Sequence, residues 1–180
     1  NAGKMRTGDS FMLNDPYRGG THLPDVTVIT PVFDANLANE GNEILFYVGS
    51  RGHHADIGGI TPGSMPPDSR TVDEEGVLIT NFKLVENAVM REAETLALLR
   101  AARYPARNAE QNLADLRAQL AANAKGVEEL HRMIERYGLD VVRAYMQHVQ
   151  HNAEECVRRV IAVLKDSVFT LEMDNGAVIH

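Results

Sequence analysis

The chain has 180 residues, 44% hydrophobic and 24% charged, with a formal net charge of −7, which places it among globular proteins with one good core and room for a helical lobe. The acidic excess is spread over mixed-sign segments and disfavours nucleic acid or anionic membrane as a partner. A single cysteine, Cys156, excludes an internal disulfide and fits a reducing compartment, and no apolar run nears the ~20 residues of a membrane span, so a cytoplasmic location is expected.

The sequence opens Asn1-Ala-Gly-Lys-Met, with neither a start methionine nor a signal peptide, and stops inside a strand-like hairpin pattern over 168–179 around Asp174-Asn-Gly176. A piece of a longer polypeptide is expected. Residues 8–13 read as a turn feeding a short strand, which Asn14-Asp15-Pro16 stops because proline offers no donor and restricts its predecessor. Residues 26–33, apolar or β-branched on both faces, predict a buried strand that Pro31 ends or sets at an edge. Residues 34–43 predict an exposed connection and 44–49 a second short buried strand. The proline-rich stretch 61–67 is a loop, and 72–79 predicts a return to strand, continued by 82–85.

From about Glu86 the apolar period becomes 3.6. A first helix is predicted to about Arg103, with Val89, Ala93, Leu96 and Leu99 as its apolar face, and Tyr104-Pro105 ends it. A second runs over about 107–137 on a seam of Leu113, Leu116, Leu120, Val127, Leu130 and Ile134, with Asn123 its one polar position and Gly138 its stop. A third runs over about 139–165, with Val142, Tyr145, Met146, Val149, Ala153, Val157, Val160 and Leu164 as its stripe. Two long helices joined so tightly predict an antiparallel hairpin. The fold expected is thus α+β: a small β-rich body with glycine loops plus a long antiparallel helical hairpin, divided as 1–85, 86–167 and 168–180.

Two glycine loops carry the ligand-type side chains, Asn14-Asp-Pro-Tyr-Arg-Gly-Gly-Thr-His-Leu-Pro-Asp25 and Arg51-Gly-His-His-Ala-Asp-Ile-Gly-Gly59. His22 and Asp25 lie three apart across Leu23-Pro24, and His53 or His54 with Asp56 adds nitrogen and oxygen donors. Such mixed ligation suits Zn, Mn, Fe or Co, with hydrogen-bonded loop histidines the alternative. Adjacent His53 and His54 face opposite ways in an extended segment, so one of them joins His22 and Asp25. Asp56 either orients an imidazole or forms the turn before Ile57. Asp15 suits an Asx cap of its own turn, with catalysis the alternative. Arg18 and Arg51, each beside a glycine loop, suit a carboxylate or phosphate, and Glu75 is either solvated beside Glu74 or an acid, base or ligand. Asn108, Asn112, Asp115, Gln119 and Asn123 draw a polar line along the second helix, either a buried hydrogen-bonded face or a solvated one. His131, His148 and His151 are expected at a surface or interface, and Cys156 is expected to be packed and inert.

The run Gly8-Asp-Ser-Phe-Met-Leu-Asn-Asp-Pro-Tyr-Arg-Gly-Gly-Thr-His-Leu-Pro-Asp-Val26, then Gly49-Ser-Arg-Gly-His-His-Ala-Asp-Ile-Gly-Gly59, then Arg107-Asn108 and Asn112-Leu-Ala-Asp-Leu-Arg-Ala-Gln-Leu-Ala-Ala-Asn123 together resemble the hydantoinase B/oxoprolinase family over nearly the whole chain. The resemblance implies part of an ATP-dependent amidohydrolase acting on a cyclic amide such as 5-oxoproline or a hydantoin, together with an A-type subunit or domain that binds ATP. Activation there would proceed by phosphorylation of the lactam oxygen. Related ATP-dependent carboxylases of acetone and acetophenone, whose B-like subunit holds a metal, supply the alternative, as does a non-catalytic scaffold that binds the ATPase subunit. Carried over by position, the resemblance implies a divalent metal on His22, Asp25 and His53. Asp15, Arg18, Arg51 and Glu75 are then the candidate catalytic residues, and a homo-oligomer is expected. Family B subunits are longer than this chain, and 34–43 is longer than the family usual. With no Gly-x-x-x-x-Gly-Lys-Ser/Thr loop, the chain is expected to be inactive alone and to take ATP and Mg through its partner.

Overall fold

The computed structural model describes residues 5–34 and 43–180, and these divide into two compact units between Arg132 and Met133. The first is an antiparallel five-stranded sheet with helices, an α+β fold as expected. Its strands are β1 (Ser10–Leu13), β2 (Asp25–Phe33), β3 (Ile44–His53), β4 (Phe82–Glu86) and β5 (Val89–Met90), in the order β3-β2-β1-β4-β5. Helices α1 (Val72–Glu75), α2 (Glu92–Ala101) and α3 (Ala109–Tyr137) follow the chain order. The core gathers Met12, Val26, Val28 and Leu84 from the strands and Leu23, Ile57, Val77 and Ile79 from the loops, closed by Leu99 of α2 and Leu116 of α3. Complete burial of one such side chain stabilises by about 1.5–3 kcal/mol.

The second unit carries α4 (Leu139–Val163) and a small hairpin of β6 (Leu171–Glu172) and β7 (Val178–Ile179). Its turn is the expected Asp174-Asn-Gly176, with Gly176 at φ +80° and its N–H donated to Met173 O at 2.8 Å. Because α4 belongs to this unit, its antiparallel packing with α3 stays a proposal. Among the described residues no helix is long and apolar enough to cross a membrane.

The elements depart from the sequence-based expectation in four places. Residues 72–79 do not return to a strand. Instead Glu74 turns back to accept the N–H groups of Arg70 and Thr71 at 2.6 and 3.2 Å, which is half of a capping box and favours the single turn of α1. The first helix does not begin near Glu86, because Asn87 and Ala88 both take positive φ (50° and 64°) and make a two-residue hairpin that pairs Val85 with Met90 and leaves Val89 exposed. β3 is neither short nor buried: it runs on through Arg51-Gly52-His53 as an edge strand with alternating exposure. Lastly, Cys156 is exposed, since α4 buries only Val142. Pro31 does not end β2. It sits opposite Tyr47, two residues past β1's last partner Ile29, where β2 has a neighbour on one side only. The connection expected over 34–43 lies, apart from its two ends, outside the described residues.

Helix α3 is fastened to the sheet by amides as well as by leucines. Gln119 donates Nε2 to Val26 O at 2.9 Å, and Asn123 donates Nδ2 to Val28 O at 3.0 Å. Asn112 donates Nδ2 to Asp56 O at 2.8 Å. All three are buried, so the polar line is a hydrogen-bonded face at 112, 119 and 123, while Asn108 is exposed and Asp115 only partly buried. His131, expected at a surface, is half-buried and lies 3.1 Å by Nε2 from Phe33 O. Between helix and sheet sits His54, 1% exposed, with Nδ1 3.0 Å from Asn112 Nδ2 and Nε2 3.2 Å from Gln119 Oε1. A ring that accepts at Nδ1 carries its proton on Nε2, which Gln119 then accepts, so these partners fit the neutral form.

Two predictions follow from this packing. Gly58 has φ +95°, and a Cβ there would lie 2.3 Å from Tyr104 O, whereas Gly63 has φ +81° and open space around it. Gly63→Ala is expected to cost about 1 kcal/mol for the backbone conformation alone, and Gly58→Ala more than about 3 kcal/mol, read as the difference between their denaturant midpoints. The second concerns pH. Burial pushes the His54 imidazole below its ordinary value, against the opposing hydrogen bond that it donates to Gln119 Oε1. The unfolded chain therefore takes the proton first, so this contribution is complete above about pH 6.5 and is lost as pH falls from there toward the lower folded value. Wild type is expected to lose stability over that window in denaturant titrations, and His54→Gln is expected to flatten the profile there.

Candidate metal centre

The strand pair β2–β3 places Asp25 directly across from His53. His22 reaches the same point through a β-turn in which Asp25 N–H bonds His22 O at 2.9 Å, with Leu23, 2% exposed, sunk into the core as its anchor. Two further contacts hold this turn. The buried Asn14 side chain donates to Leu23 O and Val77 O at 2.9 and 2.8 Å and accepts from Ile79 N–H at 2.6 Å. Pro24 O accepts the N–H of His54 at 2.8 Å.

The result is a compact donor set. His22 Nδ1 lies 3.2 Å from Asp25 Oδ2 and His53 Nδ1 lies 2.8 Å from Asp25 Oδ1, while the two rings stack with centroids 5.5 Å apart. One ligand atom from each of the three residues lies within 4.8 Å of the others. Two ligands on one ion at about 2.1 Å stand roughly 3.0–3.4 Å apart at octahedral to tetrahedral angles, so the 3.2 Å His22–Asp25 separation suits a shared cation and the 2.8 Å His53–Asp25 separation is slightly short for one. Both suit direct hydrogen bonds. Among the described residues the buried His22 Nε2 has no partner. If Nδ1 donates its proton to Asp25, Nε2 keeps a bare buried lone pair, a penalty of about 1–3 kcal/mol that only a cation held at Nε2 itself would relieve. The hydrogen bond from His53 holds the Asp25 carboxyl below its ordinary range, against burial and with help from His22.

Of the candidate catalytic residues, Arg51 braces the loop of this centre and the others line a separate cleft. Arg51, opposite Thr27 on β3, donates to Thr27 Oγ1 at 2.9 Å and reaches Thr21 Oγ1 and Gly19 O at 3.4 and 3.5 Å, bracing the loop that carries His22. Asp15 caps the 3-10 turn Pro16–Arg18 through Tyr17 N–H at 2.9 Å and accepts from Thr80 Oγ1 at 3.1 Å. Glu75 accepts from Ser69 Oγ at 2.8 Å. Asp15, Arg18 and Glu75 line one cleft of about 560 Å3 together with Arg70 and Tyr17, and none of His22, Asp25 and His53 lines it. Asp56 orients no imidazole. Burial raises its carboxyl but is outweighed by donors from Arg107, Gly58 and Gly63, and Arg107 Nη1 lies 2.7 Å away. Asn14 and Arg70 escaped the sequence reading: Asn14 showed only as a strand stop, and nothing local ties Arg70 to Arg18 some fifty residues earlier.

Comparisons with known proteins converge. The profile of the Hydantoinase B/oxoprolinase family matches residues 1–180. The 5-oxoprolinase 1 of Arabidopsis thaliana is 43% identical over 98% of this chain, and the 5-oxoprolinase of Dictyostelium discoideum is 47% identical over 87%; the chain spans only 15% and 12% of their lengths. The crystal structure of an ATP-dependent caprolactamase from Pseudomonas jessenii superposes on 97% of this chain and 29% of its own, with TM-score 0.77 and 28% identity. A nucleotide-free acetone carboxylase shares the fold over 78% of this chain and 17% of its own at TM-score 0.62 and 23% identity. The chain belongs to the hydantoinase B/oxoprolinase family.

Proposed function

We propose that this chain forms part of the B-type portion of an ATP-dependent cyclic-amide hydrolase, of the 5-oxoprolinase or hydantoinase type, with His22, Asp25 and His53 holding a divalent metal. The observation that carries the metal reading is the convergence of those three residues, one ligand atom from each lying within 4.8 Å of the others. The 5-oxoprolinase relatives support the reaction class. A divalent cation bound there supplies Lewis acidity toward a carbonyl or toward water. The chain's own residues do the rest: the β2–β3 pairing and the His22–Asp25 turn orient the donors, and Arg51 keeps the His22 loop against the strand. Asp15 and Glu75 are held by neutral donors in the neighbouring cleft, where Asp15 fixes the turn bearing Arg18. The ATP-dependent step falls to an A-type ATP-binding subunit or domain, since the glycine loops present His and Asp where a phosphate cradle uses backbone amides and a lysine. A carboxylase subunit is the lesser alternative, because the likeness to acetone carboxylase supports the fold alone.

Metal analysis of the full-length subunit is expected to find one divalent ion per chain in wild type and a loss of most of it in His22→Ala and His53→Ala. With the A-type partner added, both variants are expected to lose hydrolysis by at least about a hundredfold while the complex still assembles. Equal metal content in wild type and both variants would overturn the assignment.

A further inference from the structure

The cleft between the 3-10 turn Pro16–Arg18 and α1 is chemically unlike the metal centre. Arg18 and Arg70 enter it from separate segments, and among the described residues neither guanidinium is paired with an acid in an ion pair. In the same unit Arg91, Arg100, Arg107, Arg117 and Arg132 each pair with a carboxylate. The acids beside them are already engaged. Asp15 is taken at both oxygens by Tyr17 N–H and Thr80 Oγ1, and Glu75 by Ser69 Oγ. Arg70 is near enough to Glu74 to help lower that carboxyl, but the larger causes are the backbone N–H groups of Arg70 and Thr71, which occupy its oxygen. Apolar surface completes the cleft: Tyr17 is 96% exposed, and Val72 and Leu78 are both exposed large hydrophobics at its wall. A volume of about 560 Å3 admits a small ring with room to spare.

Two uncommitted guanidiniums beside an apolar wall suit a small ring that carries a carboxylate, since the planar donor fork matches a carboxylate's two oxygens. We infer that this cleft binds the carboxylate of a cyclic-amide substrate through Arg18 and Arg70. The inference rests on the hydrolase reading above and narrows it. It places the substrate among lactams that carry an acid group, as 5-oxoproline does, and not among uncharged rings of the caprolactam kind. Because the contact is to a part of the substrate that does not react, it contributes to binding in ground state and transition state alike and is expressed in KM more than in kcat.

The test uses the assembled enzyme and two rings that share a lactam, L-5-oxoproline and 2-pyrrolidinone, the latter without the carboxylate. Arg18→Met and Arg70→Met are each expected to raise KM for 5-oxoproline by about tenfold or more, with kcat within about twofold, and to leave 2-pyrrolidinone unchanged. Arg18→Lys is expected to recover part of the loss. Calorimetry on the full-length chain is expected to show the same loss of 5-oxoproline affinity, with inorganic phosphate failing to compete. Equal use of the two rings, with both variants behaving as wild type, would overturn the carboxylate site while leaving the hydrolase reading intact. Phosphate that displaces 5-oxoproline from wild type but does not bind Arg18→Met would make this a phosphate site and overturn it as well. If neither ring is turned over, the 5-oxoprolinase form of the hydrolase reading fails, and the calorimetric comparison of the two rings still decides the carboxylate site.

Discussion

The candidate metal centre depends on the antiparallel register between β2 and β3. Residues directly opposite each other in such a pair bring their Cβ atoms to about 4.5–5.5 Å, so pairing Asp25 with His53 supplies one imidazole–carboxylate contact from strand geometry alone. Only His22 has to be delivered by a turn. A slip of one residue would send His53 to the other face and bring His54 forward in its place. The two adjacent histidines therefore have unrelated environments, one at the donor set and one buried beneath α3.

That register is secured from both sides. Below it, Leu23 and Val26 enter the core and Asn14 ties the turn to the 77–79 segment. Above it, Gln119 reaches Val26 O and Ser50 O, one on each strand of the pair, so the helix contacts the very ladder that sets Asp25 against His53. Gly52 eases this approach, since a Cβ there would lie 3.2 Å from the Gln119 amide carbon and press on it.

Much of this was legible in the sequence. The α3 and α4 spans follow from the 3.6 period to within about two residues at each end; the alternation of an extended chain lets only one of His53 and His54 face His22 and Asp25, and the family resemblance singles out His53. The amide line at 112, 119 and 123 stood out because a solvated helix face prefers Glu and Lys. What escaped was set by contacts between distant segments. The apolar residues at 77–79 look like a strand, yet Val77 and Ile79 satisfy their backbone groups through Ile57 and Asn14 and pair with no ladder. Val89 and Met90 look helical until the left-handed Asn87-Ala88 turn folds them onto β4. Arg18 and Arg70 share a cleft only because the first loop and the approach to α1 meet in space.

The amide contacts of α3 also make two lattices commensurate. Gln119 and Asn123 are four residues apart on a helix, a rise of about 6.0 Å, and their acceptors Val26 and Val28 are two residues apart on a strand, about 6.6–6.8 Å. Helix and strand thus keep step like two rulers whose marks nearly coincide. A shift of α3 by one residue would move every amide off its carbonyl together, and no compensating contact lies at the next mark. Length is accordingly constrained here in a way that composition is not. An insertion or deletion of a single residue between 112 and 119 would put Asn112 and Gln119 out of step and so disturb both contacts of the His54 imidazole.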